Sequence, residues 1–190
     1  MSEHAELLAP AAAELLRVAA AAPSLTAPTH CADYDVRGLV NHLLYWGPWL
    51  DAALRHAPYK PPAPAEAEAS LVGEDWLVDL TKVTGQLVDT LQKPESWTGT
   101  VAFGPNDLPA AVVGVMVLGE FVLHGWDLTR ASGTGLNCPD EAAEAVLGFI
   151  HGMGEEARAG GIFGPEVAVA EDAPVLHRAL GASGRNPAAG

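Results

Sequence analysis

Apolar residues recur at helical spacing along most of the chain. In "EHAELLAPAAAELLRVAAAA" the stripe is Leu7, Leu8, Leu15, Leu16 and Val18, and the Ala, Leu and Glu content favours helix. Pro10 is expected to disturb its first turns. After the turn residues of "PSLTAPTHCADYD", Asp35 is a good N-cap for a second helix, "VRGLVNHLLYWGPWLDAALRHA". Leu39, Val40, Leu43 and Leu44 form its apolar face, and Pro48 predicts a kink. "PYKPPAPAEAEAS" reads as a Pro/Ala loop. A third helix fits "EDWLVDLTKVTGQLVDTLQ", and "KPESWTGTVAFGPND" breaks it, with a short extended segment over 98–103. The fourth helix, about 108–131, is nearly all apolar and ends at "SGTG", a glycine stop signal. "PDEAAEAVLGFIHGMGEEAR" and "DAPVLHRALGASG" predict a fifth helix and a short last one. Long helices with little strand predict an all-α bundle. We expect one bundle domain over 1–165 and a tail with a short helix over 166–190.

Composition narrows the function classes. The 190 residues suffice for one domain with a real core. The net charge is −14, from 24 acidic against 10 basic residues, with no basic cluster, so neither nucleic acid nor an anionic membrane is an expected partner. Cys31 and Cys138 form neither a disulfide framework nor a C-x-x-C pair. The acidic start "MSEHAELLAP" is unlike a secretory signal, and "LPAAVVGVMVLGEFVLHGW" is interrupted by Glu120 and His124. The expectation is a cytoplasmic protein.

Those two interruptions are the chemical signal. Glu120 and His124 are one helical turn apart and share a face of an otherwise apolar helix. With His42 on the second helix they offer two imidazoles and a carboxylate, a set suited to zinc, nickel or iron and one that leaves coordination positions open. The alternative is a buried polar network, with Glu120 bonded to backbone or an arginine and His124 satisfied by core groups. Asp127, three residues after His124, could accept the other imidazole N–H; pairing with Arg130 is an equal alternative.

"THCADYDVRGLVNHLLYW", followed later by "GEFVLHGWDLTRASG", resembles the DinB-like/maleylpyruvate isomerase N-terminal superfamily, with its patterns T-x-C-x-x-[WY]-x-V-x-x-L-x-x-H and G-E-x-x-x-H-G-W-D-L. "EDAPVLHRALGASGRNP" is similar to the tail of an actinobacterial metal-binding subgroup, with its pattern A-x-x-x-x-R-x-L-x-x-x-G-R-x-P. The resemblance implies a four-helix bundle holding a divalent metal through His42, Glu120 and His124. It implies a thiol-dependent S-transferase or isomerase, with a small thiol such as mycothiol and an electrophile as partners. Members with maleylpyruvate isomerase activity carry a further C-terminal domain, so metal binding is expected here rather than that reaction. The competing expectation is a non-catalytic metal- or ligand-binding module.

The remaining residues have bland readings first. Tyr45, Trp46, Trp49 and Trp126 could line a pocket mouth but read mainly as core. Cys31 could gain thiolate character near a helix N-terminus, although a buried structural cysteine is the stronger reading. His4, His56, His151 and His177 read as solvated, with His151 a candidate fourth ligand. Gly114 and Gly119 in the fourth helix suggest close helix approach or room near the metal. A homodimer through an apolar helix face is compatible with the pattern.

Overall fold

The computed structural model describes residues 3–103 and 106–188; positions 104–105 of the expected break, and both ends of the expected domains, lie outside the described residues. Four helices, α1 (Ala5–Ala20), α2 (Val36–Leu54), α3 (Trp76–Leu91) and α4 (Ala110–Ser132), form the bundle. Around the ring, α1 packs on α4 and α3, and α2 packs on α3 and α4. Leu8, Leu15, Leu39, Leu80, Leu118 and Phe121 meet in its core, each almost fully buried. Helix α5 (Asp140–Ala159), which leaves helical geometry at Gly154, lies against α4, and α6 (Val175–Ala182) lies on α5.

Local chemistry explains the boundaries. Asp35 caps α2 by accepting a 2.8 Å hydrogen bond from the Gly38 N–H. Gly133 ends α4 at φ 67°, a left-handed conformation that glycine adopts without a Cβ clash. Helix α1 runs through Pro10 without a break; the carbonyl freed by the missing N–H belongs to exposed Glu6, where water can serve it. Helix α2 likewise continues across Pro48.

The extended segment is half of a hairpin. Strand β1 (Thr100–Phe103) pairs antiparallel with β2 (Asn106–Pro109), Val101 opposite Leu108. Leu108 is therefore strand, not the first turn of α4. Pro109 disfavours helical dihedrals in the residue before it and delays the helix to Ala110.

Helix α4 is long and apolar enough to cross a membrane by length and composition, yet two-thirds of its most apolar window is buried inside the fold. Its Gly114 meets the expectation of close approach: a Cβ there would lie 2.6 Å from the ring of Trp97. That indole is anchored by a 2.7 Å hydrogen bond from Nε1 to the Leu91 carbonyl and cannot yield freely. Gly119 has no such neighbour, since its added Cβ would meet only Phe149 at 3.9 Å. Gly114→Ala should lower Tm by a few degrees, overpacking of about 1–3 kcal/mol outweighing a helix-propensity gain of about 1 kcal/mol. An unchanged or higher Tm in thermal unfolding followed by circular dichroism would refute the anchoring argument.

Candidate metal centre

The face that α2 turns to α4 carries His42, and the opposing face of α4 carries Glu120 and His124. Their ligand atoms all lie within 4.8 Å of one another. Nε2 of His42 is 3.4 Å and Nε2 of His124 is 3.3 Å from the same oxygen, Oε2 of Glu120. These separations exceed the 2.7–2.9 Å typical of a charge-assisted hydrogen bond. They match the edge of a tetrahedron about 3.4 Å long whose centre is about 2.1 Å from each vertex, the usual bond length of zinc to imidazole or carboxylate. A first-row divalent ion fits this donor set.

The outer imidazole nitrogens are held by carboxylates. Asp127 Oδ2 accepts from Nδ1 of His124 at 2.9 Å, so the i+3 reading of Asp127 describes its contact with the ring. Arg130 takes no part in that contact; its guanidinium donates to the Thr29 carbonyl. Asp127 is instead clamped by Arg185, through Nε to Oδ1 at 2.8 Å and Nη2 to Oδ2 at 2.7 Å. On the other ring, Nδ1 of His42 lies 3.1 and 3.2 Å from the two oxygens of Glu66, which sits in a one-turn 3-10 helix, Glu66–Glu68, between α2 and α3. Glu66 also accepts from the Tyr34 hydroxyl at 2.8 Å and from Trp46 Nε1 at 2.7 Å.

Both Nδ1 atoms face carboxylates, so in the neutral rings the proton belongs on Nδ1. Both Nε2 lone pairs then point at the shared centre, the arrangement characteristic of metal-ligating histidine.

The electrostatics follow from crowding. Burial opposes the charged ring of His124, yet its contacts with Asp127 and Glu120 together outweigh that and raise it to about 9. Burial would push Glu120 up, but the two imidazoles hold it well below the usual carboxylate range. Asp127, fully buried, is likewise pushed up by burial and brought down to about 2 by His124 and Arg185. For Glu66 the donors Trp46 and Tyr34, with His42, overcome burial and lower it.

Two members of this outer frame escape the sequence reading. Glu66 stands in an Ala/Pro-rich loop with no periodicity to mark it. Arg185 lies 58 residues beyond its partner, and its only signal is the G-R-x-P of the tail motif. Trp46 leaves the role of core residue: it is 38% exposed and edges the cluster. Tyr45 is core, and Trp126 stacks on His30 with ring centroids 4.1 Å apart. His151, His56 and His177 are exposed, and none belongs to the cluster of ligand atoms. Cys31 is half-buried with a free thiol that burial pushes up, contrary to an activated thiolate.

A helical bundle with a His₂Glu cluster between two adjacent helices defines the class of protein. The family model for the mycothiol maleylpyruvate isomerase N-terminal domain matches residues 8–129, more than half of the chain, and the chain belongs to that family. The matched span includes His42, Glu66, Glu120, His124 and Asp127, and excludes Arg185. No curated protein and no solved structure matches the chain.

Proposed function

We propose that the protein is a divalent-metal-dependent enzyme that activates a small thiol, such as mycothiol, for S-transfer or for isomerisation of an activated double bond. The observation that carries this reading is the metal-like spacing of the three donor atoms, with both Nε2 atoms next to the same Glu120 oxygen. Family membership supports the thiol. His42, Glu120 and His124 would be the ligands, with zinc favoured by the donor set and nickel or iron also accepted by it. A bound divalent ion supplies Lewis acidity, which lowers the pKa of a coordinated thiol so that a thiolate exists at neutral pH.

The protein's own groups do the rest. Asp127 keeps the His124 proton on Nδ1 and fixes the ring. Glu120, whose side chain is 27% exposed, marks the open side of the cluster. Trp46, 38% exposed, stands beside Glu120 and would offer an apolar edge to an electrophile arriving from solvent. The thiolate would add to an activated double bond, with the π pair moving onto the activating group, and be expelled again after rotation about the single bond. In S-transfer it would displace a leaving group that departs with the bonding electron pair.

The direct test is metal content by mass spectrometry on protein purified without added metal, followed by thiol-dependent turnover over a panel of electrophiles. Near-stoichiometric metal with turnover supports the enzyme. Metal without thiol-dependent turnover selects the non-catalytic binding module. No uptake of any candidate ion would sink the enzyme and the metal-binding module alike, and the cluster would then be a polar network in a metal-free bundle.

Metal uptake should also depend on pH with a defined sign. Because His124 in the metal-free protein is protonated up to about pH 9, uptake below that pH must displace its proton. Apparent zinc affinity should rise about tenfold per pH unit through the neutral range and flatten above about 9. Calorimetry in buffers of different ionisation enthalpy would read the released proton, and a pH-independent affinity would contradict the coupling. In the metal-free fold the same raised pKa gives stabilisation that is complete below 6.5 and lost as pH rises toward about 9.

A further inference from the structure

The loop between α2 and α3 is fastened to α2 on both sides of Glu66. Before it, the Tyr45 hydroxyl donates to the Ala63 carbonyl at 3.1 Å. After it, Asn41 Oδ1 accepts from the Leu71 N–H at 2.9 Å, and Arg37 Nη1 donates to the Val72 carbonyl at 3.0 Å. Positions 37, 41 and 45 succeed one another at four-residue steps, so one stripe of α2 grips the loop backbone. Positions 42 and 46, also four apart, present His42 and Trp46 to the Glu66 carboxylate. The carboxylate accepts from Tyr34 and Trp46, and both its oxygens lie within 3.2 Å of the His42 ring.

The two imidazoles are thus oriented by different means. His124 takes its acceptor from its own helix, three residues on, whereas His42 takes its acceptor from a loop 24 residues away. Glu66 meets Nδ1, the nitrogen opposite the one that faces Glu120, so it is placed to orient the ring rather than to ligate.

We propose that Glu66 is the positioning residue for His42: it retains the Nδ1 proton and fixes the ring, so that Nε2 is presented to the metal. The inference rests on the metal reading above. It makes the loop over 63–72 part of the metal centre, with Tyr34 and Trp46 holding the carboxylate in place.

The test compares wild type, Glu66→Ala and Glu66→Gln by zinc affinity, in competition with a chromophoric chelator, and by proton–nitrogen spectra of the histidine side chains in the zinc-loaded proteins. Glu66→Ala should bind zinc about 10–100-fold more weakly, the usual effect of removing such a partner. Its His42 Nδ1 proton signal should vanish by exchange with solvent, while that of His124, held by Asp127, persists as the internal control. Glu66→Gln keeps a neutral acceptor and should restore the His42 signal and most of the affinity. Affinity within twofold of wild type in both variants, with the His42 signal intact, would overturn the proposal. Equal loss of both histidine signals in Glu66→Gln would also overturn it, because a general structural role disturbs both rings. A wild type that takes up no zinc would bring down the underlying metal reading, and that result is seen before any variant is compared.

Discussion

His124→Ala should reduce zinc affinity on the order of a thousandfold and remove any thiol-dependent activity, while the bundle stays folded. Structural zinc sites contribute about 10–16 kcal/mol of apparent binding free energy, so one of three protein ligands accounts for roughly 4 kcal/mol. The fold should survive because the neighbours of His124 keep other partners. Asp127 retains both hydrogen bonds from Arg185, and Glu120 retains His42 at 3.4 Å and partial access to solvent. Chelator competition gives the affinity, and far-ultraviolet circular dichroism gives the helix content. Unchanged zinc content in a folded His124→Ala protein would remove this residue from the ligand set. The cluster would then have to be read as a polar network.

How far the sequence reveals this centre depends on whether a residue's role is written in local spacing. Glu120 and His124 are legible because a carboxylate and an imidazole one turn apart interrupt an apolar helix, and Asp127 because it extends the same face. The helices are legible for the same reason, and Asp35 and Gly133 mark ends by capping chemistry that acts within a few residues. Glu66 is not legible: a glutamate among Ala and Pro has no period, and only the gripping of the loop by Arg37, Asn41 and Tyr45 brings it to His42. Arg185 is visible as a motif residue, but its role depends on how α5 and α6 fold back. The start of α4 is misread by two residues because an apolar run does not show where hairpin pairing hands over to helix.

Arg185→Met should destabilise the protein by about 3–5 kcal/mol, the usual consequence of removing one partner of a buried ion pair. The Asp127 side chain is fully buried and that of Arg185 only 15% exposed, so water cannot replace the two lost hydrogen bonds. Zinc affinity should fall as well, by about 10–100-fold, because Asp127 would no longer be held in line with His124. Arg185→Met combined with Asp127→Asn should recover much of the stability but not the zinc affinity, since asparagine is a weaker acceptor for the His124 proton. Urea unfolding of the single and double variants measures the first effect and chelator competition the second. A single variant as stable as wild type would mean that the clamp contributes nothing to the fold.

The clamp on Asp127 also bears on which guest the cavity accepts. Around the two imidazoles stand three carboxylates, Glu66, Glu120 and Asp127, and the guanidinium of Arg185. Arg185 cancels one of the three negative charges, leaving an excess of two. In the metal-free protein the His124 proton offsets one of these two charges. A doubly charged cation that displaces it would bring this partly buried region to electroneutrality, whereas a trivalent ion would leave a charge that the surroundings solvate poorly. The charge balance that would suit a divalent guest therefore depends on an arginine that touches no ligand atom and lies beyond the span matched by the family model.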